Sequence, residues 1–469
     1  MHGSKLSSQL SQEVYGSKFH RQIPARDEFS KILSENKSKS IYVSIPVASV
    51  RISKVLSLFE TELDYYFRAG NDFASVGLKP GLRIEASLKE RELLENKGAR
   101  FFNKLKELQI GAEKGFKPRF YGGFCFDERK TANDCWKGFG KGFFTISKWT
   151  YQSNKNHAFL SFCSENVKTA EIEEYLAEFD EIYNLLSKES TLQSLALSNQ
   201  EHKLETRSED SLEEWSTLIE KGLDSIRSKR LEKVVLAREV VLECSNDIKI
   251  EKMFESFYQQ GPEENHFVFR DKNGFSFLGS SPETLIKKEA LTLSTEALAG
   301  TSNHEDEHLL GNSKKDLSEQ NIVTEEIIEV LSHFCKKVES SNKPVIKRLN
   351  HISHLCSKIE GKLKSNLHIL EICSKLHPTP AVGGRPSQQA KDFILEHEDL
   401  NRGWYAAPVG WFDKNGDGEF IVAIRSALIN GKTARIFSGS GIVEGSIAEK
   451  EYTETELKQK KMIQALLHG

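Results

Sequence analysis

The sequence predicts a soluble protein of mixed class in which strands and helices alternate, and three observations carry that prediction. The run LEKVVLAREVVLE (231–243) is rich in valine and leucine, which favours a strand. Segments beginning at Ser211 and Lys314 place apolar residues at helical spacing. Between such segments lie stretches such as DKNG (271–274) and DKNGDG (413–418), whose Gly, Asn and Asp residues supply turns.

A chain of 469 residues allows one large domain or two to three ordinary ones. Its net charge of −3, from 65 basic and 68 acidic residues, leaves no basic footprint for nucleic acid and no polybasic patch for a membrane. No apolar run approaches the ~18 residues of a membrane span, and the N-terminus lacks a signal-peptide core. The seven cysteines, at 125, 135, 163, 244, 335, 356 and 373, form no C-x-x-C pair and read as reduced thiols of a cytoplasmic protein.

In chain order, residues 1–40 are polar and expected to be ragged, 41–52 reads as a strand, and 85–108 as a charged helix. FYGGFCFD (120–127) reads as a tight turn between aromatic strand residues. A helix over 170–188 carries Ile172, Tyr175, Leu176, Phe179 and Ile182 on one face. The Ser-rich stretch 188–209 is the expected boundary between 1–205, weakly patterned, and 206–465. Ser211 with Glu214 fits a capping box ahead of an apolar stripe from Leu212 to Ile226. Lys233 stands at the start of the next strand, where an edge charge is the ordinary reading. Three further strands are expected at 267–270, 275–279 and 284–288, with Glu283 in SSPE partly buried and its pKa raised. STEALAGT (294–301) reads as a turn, 314–334 as a helix, and His351 with His354 as a polar pair rather than a zinc site. HPTPAVGG (377–384) is a rigid loop. DKNGDG is a hairpin rather than a calcium loop, since Ile424 stands where such a loop needs Glu. Arg425 falls inside the apolar strand expected at 419–429 and so calls for an anionic partner.

The stretch 437–461 combines two features. Gly439, Ser440 and Gly441 read as a small-residue turn whose N–H groups can approach an anion. Glu451, Glu454 and Lys458 then share one face of a polar helix. Two carboxylates and an ammonium beside such a turn suit a metal and an anionic ligand.

Taken together, KVVLAR, GSSPE, EALAGT, KDLSEQ, HPTPAVGG, YAAPVGW, AIRSA and SGSGIVEGS…EYTET..K resemble the chorismate-utilising enzymes over 206–465. That family includes anthranilate synthase component I, aminodeoxychorismate synthase, salicylate synthase and isochorismate synthase. The resemblance implies an α+β fold like that of anthranilate synthase component I, with two packed antiparallel β-sheets and outer helices. Residues 1–205 resemble its N-terminal part, and FYGGFCFD is similar to a segment of menaquinone-type isochorismate synthases. The family implies Mg²⁺ held by Glu319 and Glu454, with Glu451 close by. It implies that Arg425, Lys458 and the Gly439–Gly441 amides hold the carboxylates of chorismate, with Tyr405, His354 and Thr301 lining the pocket. Lys233 matches the water-activating base and Glu283 the general acid. Both are expected across the substrate ring from Glu319 and Glu454, with Lys233 neutral and Glu283 protonated. Ala299 stands where aminodeoxychorismate synthases carry a nucleophilic Lys, so no glutaminase subunit is expected. Isochorismate synthase is thus the first reading, for menaquinone or siderophore synthesis, and salicylate synthase the second.

Overall fold

The computed structural model describes residues 22–70, 73–189, 203–261, 263–305, 307–341, 343–349 and 352–468. Their strands form one sheet of thirteen and one of ten, antiparallel at every pairing but Ile41–Val47 with Lys106–Gln109. Both sheets draw strands from both ends of the chain. Leu63–Ala69 pairs with Asn265–Arg270 in the larger, and Phe120–Phe124 with Pro408–Phe412 in the smaller. The boundary expected within 188–209 falls mostly on 190–202, outside the described residues, as does His351.

The faces of the two sheets meet in an aromatic core. Tyr65 of the larger sheet stacks on Tyr121 of the smaller at 4.4 Å between ring centres. A second core lies on the other face of the larger sheet, under helices that include Ile172–Glu189 and Ile250–Gln260. Such two-layer burial is what antiparallel strands with alternating apolar faces require.

The helix Leu212–Arg227 begins at the predicted capping box, with both reciprocal bonds between Ser211 and Glu214 present. Several expectations are corrected. Residues 22–35 of the stretch expected to be ragged form the helix Gln22–Glu35. The helix expected over 85–108 is confined to Arg91–Lys104, because reciprocal bonds between Ser87 and Glu90 start it late. The expected turn FYGGFCFD contains the strand Phe120–Phe124 instead. Its glycines serve close approach: a Cβ on Gly122 would lie 1.9 Å from the Phe143 carbonyl oxygen. STEALAGT lies in the strand Thr292–Ser302 rather than at a turn. The strand expected at 419–429 is two strands, Gly418–Val422 and Ser426–Asn430, which belong to different sheets.

Candidate active site

Two strand-to-strand passages between the sheets build one wall of the site. The chain leaves the larger sheet after Ser276–Ser281 and enters the smaller at Thr284–Glu289, crossing at Pro282 and Glu283. It returns from Gly418–Val422 to Ser426–Asn430 through Ala423, Ile424 and Arg425, with Arg425 at φ +51°. Side by side, the passages are stitched by Val422 N–H to the Glu283 carbonyl, Ser280 N–H to the Arg425 carbonyl (both 3.1 Å), and the Ser281 hydroxyl to the Val422 carbonyl. Left-handed backbone at a non-glycine residue is costly and is held here by these bonds.

Glu283 is 4 % exposed. Burial pushes its carboxyl up to about 7; Glu296 adds to the rise, while Lys233, Lys347 and Arg425 oppose it. Arg425 is also buried, which lowers its guanidinium from the usual value. Among the described residues it has no carboxylate partner, and its Nη2 lies 3.0 Å from His354 Nε2. The anionic partner predicted for Arg425 is therefore not supplied by a neighbouring carboxylate. His354 Nδ1 lies 2.9 Å from the Gly300 carbonyl and 3.2 Å from Thr301 Oγ1. Burial first, then Arg425 and Lys458, lower this histidine to about 3, so it is neutral and accepts from Arg425 at Nε2. A bulge between Ala299 and Thr301, with Gly300 at φ +68°, aims that carbonyl and hydroxyl at the ring.

The opposite wall comes from the strands Lys233–Cys244 and Thr433–Ile442 and the helices Lys314–Phe334 and Ala448–Leu467. Gly439, Ser440 and Gly441 lie within a strand, not in the predicted turn, and neither glycine has a positive φ. They are small because neighbours crowd them. A Cβ on Gly441 would lie 2.3 Å from Glu319 Oε1, and one on Gly439 3.1 Å from the Tyr405 hydroxyl. Strand alternation turns Ser440 to the other face, where its hydroxyl donates to Glu451.

Lys233 is buried rather than an edge charge, and its Nζ lies 2.8 Å from Glu319 Oε1. This corrects the expectation that Lys233 lies across the ring from Glu319; the bare Cα of Gly441 leaves room for them to touch. Glu454 pairs with Lys458, which also donates to the Gly439 carbonyl at 2.9 Å. Glu451 pairs with Lys315. Burial raises Glu454, but Lys458 and Lys315 outweigh it and hold the carboxyl below its usual value. Burial and the adjacent Glu454 raise Glu451. Tyr405 is buried, stacks on Phe437 and is pushed up to about 12 by burial. Behind this wall, Arg402 and Glu398 clamp the first strand: Arg402 donates to the Val235 and Val382 carbonyls, and Glu398 accepts from Ala237 N–H.

The walls enclose a cavity of about 60 Å³. Of the site residues expected from the sequence, Glu283, Thr301, Glu319, His354, Arg425, Gly439, Gly441, Glu454 and Lys458 line it. Lys233, Tyr405, Ser440 and Glu451 stand one contact behind that lining. Reasoning from sequence missed Val235, Pro282, Leu298, Gly300, Ala381 and Ile424 in the lining, and Lys315 behind it. Lys315 was discoverable, since it precedes Glu319 by four residues in KDLSEQ and so shares its helix face. A drug-sized ligand needs roughly 300 Å³ or more, so side chains must part for a substrate to enter. A larger cleft, about 1180 Å³, shares only Pro282 with this cavity. The buried titratable groups Glu283, Glu319, His354 and Glu454 converge on the smaller one.

Glu319, Glu451 and Glu454 are the right donors for a hard cation. They do not converge on one: among the described residues, no three His, Cys, Asp or Glu side chains are grouped to hold a metal ion. Each is taken by a lysine.

Two antiparallel sheets closing on a buried glutamate, arginine and lysine define a class, and residues 27–467 match the family described as chorismate binding enzyme, so the chain belongs to that family. It is 35% identical over 374 residues to isochorismate synthase MenF of Bacillus subtilis (strain 168), covering 74% of each chain. Among solved structures it resembles MenF, the menaquinone-specific isochorismate synthase from Escherichia coli, with a TM-score of 0.75 and 25% identity over 94% of this chain and 99% of that one. Anthranilate synthase component I from Streptococcus pneumoniae TIGR4 shares the fold at a TM-score of 0.66 and 18% identity, over 84% and 92% of the two chains.

Proposed function

We propose that the chain is an isochorismate synthase. Water bonds to one ring carbon of chorismate and gives its proton to Lys233 Nζ. The carbon–oxygen bond at another ring position breaks, and the departing hydroxide takes the proton of Glu283 and leaves as water. The observation that carries this reading is Glu283, a buried carboxyl poised at about 7 on the cavity wall, half protonated at neutral pH. Lys233 accepts that proton as the free amine, so the ammonium that pairs with Glu319 must first release a proton to solvent. Arg425 and Lys458 hold the substrate carboxylates, and neutral His354 orients Arg425.

Magnesium is the metal this reading calls for: with their lysines displaced, Glu319 and Glu454, with Glu451 nearby, would hold it, and it would supply positive charge to anionic oxygens of the substrate. Ala299 in the cavity lining offers no amine at that position, which supports an activity independent of a glutaminase. Every lining residue lies at or after Val235, which supports 206–465 as the catalytic region and 1–205 as its scaffold. No described helix is long and apolar enough to cross a membrane, and all seven cysteines are free, which supports a cytoplasmic enzyme. The test is a chromatographic product assay with chorismate and Mg²⁺. Isochorismate is the expected product; salicylate as the main early product overturns the reading.

A further inference from the structure

One face of the smaller sheet lines both the cavity and the larger cleft. Lys347, in the short strand Val345–Arg348, stands directly opposite His354 in the strand Ser353–Leu363, so the two side chains share a face. His354 lines the cavity, Lys347 lines the cleft, and Pro282 lies where the two meet. Lys347 reaches that point. Its Nζ donates to the Pro282 carbonyl at 2.9 Å and pairs with Glu296 at 2.5 Å. Glu296 belongs to the strand Thr292–Ser302 and also lines the cleft.

A lysine–glutamate pair with side chains 31 % and 22 % exposed adds little stability by itself. The bond to Pro282 sets this pair apart. Pro282 is buried and directly precedes Glu283 on the sheet-crossing passage. Among the described residues Lys347 is the only donor to its carbonyl, and a buried carbonyl needs one. The bonds at the Glu283 carbonyl and the Ser281 hydroxyl join the passage to its neighbour at Val422; the Lys347 bond joins it to the smaller sheet beside His354. The charged and titratable groups around Glu283 are Lys233, Arg425, Glu296 and Lys347, with Glu319, His354, Glu454 and Lys458 also on the cavity. Burial acts most strongly on its carboxyl, followed by Lys233; Lys347 then favours the ionised form and Glu296 the protonated one.

We propose that Lys347, braced by Glu296, is a positioning residue for the proton transfer: it clamps the Pro282 carbonyl and so fixes where the Glu283 carboxyl stands against the substrate. The inference rests on the reading of Glu283 as the acid. Lys347 does not line the cavity; it acts through one peptide carbonyl and through its charge.

The test compares wild type, Lys347→Met, Lys347→Arg, Glu296→Gln and Glu283→Gln with chorismate and Mg²⁺. It records kcat, KM, the pH profile of kcat/KM and the melting temperature. Lys347→Met removes the clamp and the charge. Its kcat is expected to fall by roughly tenfold or more, as a displacement of about an ångström commonly costs, with KM nearly unchanged because Arg425 and Lys458 remain. The alkaline limb of its profile should move up by on the order of one pH unit, since a cation no longer favours the ionised acid. Glu296→Gln keeps the clamp and removes an anion, so its limb should move down. Lys347→Arg, which keeps donor and charge, should restore both kcat and the limb. Limbs that stay at the wild-type pH in both Lys347→Met and Glu296→Gln overturn the proposal, whatever the melting temperatures do. So does a kcat for Lys347→Met within a few-fold of wild type. Should Lys347→Met not fold, Lys347→Gln, which keeps a polar tip, takes its place under the same limb criterion. Unchanged turnover and an unchanged limb in Glu283→Gln instead overturn the reading of Glu283 as the acid, independently of Lys347.

Discussion

The two walls of the cavity treat the same residue type in opposite ways. On the sheet-crossing wall, Glu283 is buried with no ammonium in ion-pair contact among the described residues, and burial drives its carboxyl up to about 7. On the helix wall, Glu319, Glu451 and Glu454 each sit against a lysine. A buried carboxyl without a contacting cation is an acid that can give up a proton near neutral pH. Paired with an ammonium, a buried carboxyl is favoured as an anion, as Glu454 is, held below its usual value by Lys458, whereas at Glu451 burial and the adjacent Glu454 outweigh Lys315. The difference arises from position: Glu283 lies on a strand-to-strand passage between sheets, where lysine stems do not reach its carboxylate.

The largest expected effects separate the two roles. Glu283→Gln and Lys233→Ala should each reduce kcat by about 10²–10⁴-fold, the usual loss for a positioned acid or base. Chorismate affinity should hold, because Arg425 and Lys458 remain; steady-state kinetics with equilibrium binding checks both. A Lys233→Ala enzyme within a few-fold of wild type removes Lys233 as the base. Glu454→Gln, on the other wall, should lose Mg²⁺-dependent turnover while circular dichroism stays native.

Next in size is Gly441→Ala. A methyl there overlaps Glu319 and Lys233, so turnover should drop by roughly tenfold or more, as a misplacement of about an ångström commonly costs. A fully active variant would show that the contact between Lys233 and Glu319 is not maintained during catalysis.

The smallest effects are in pH dependence. Glu283 rises from 4.5 to about 7 on folding, so the folded state holds the extra proton between those values. Its contribution is nil below 4.5, turns increasingly destabilising as pH rises from 4.5 to 7, and is constant above that. The Gln variant should therefore exceed wild type in stability at pH 8 by on the order of 2–3 kcal/mol and match it near pH 4, read by denaturant unfolding. In wild type, kcat/KM should fall as pH rises through 7 and the acid ionises. An alkaline limb that persists unchanged in the Gln variant would assign it to another group.

Local signals were fully legible in the sequence. The reciprocal bonds of Ser211 and Glu214 and the shared face of Glu451, Glu454 and Lys458 follow from three- and four-residue helix spacing, and both are present. The ordered motifs also identified the family, whose match spans 27–467. Tertiary structure decided where those residues point. Gly439 and Gly441 look like a turn, yet they are strand residues kept bare by Tyr405, Lys233 and Glu319, each distant in sequence. Arg425 looks like a mid-strand residue, yet the chain changes sheets there and leaves it in left-handed backbone beside His354. Lys315 was visible as a letter, but its partner Glu451 is 136 residues away. Periodicity reports which neighbours a residue has within a turn or two of chain; pairing across sheets, burial and the charge a carboxyl meets are set by contacts that only the closed fold brings together.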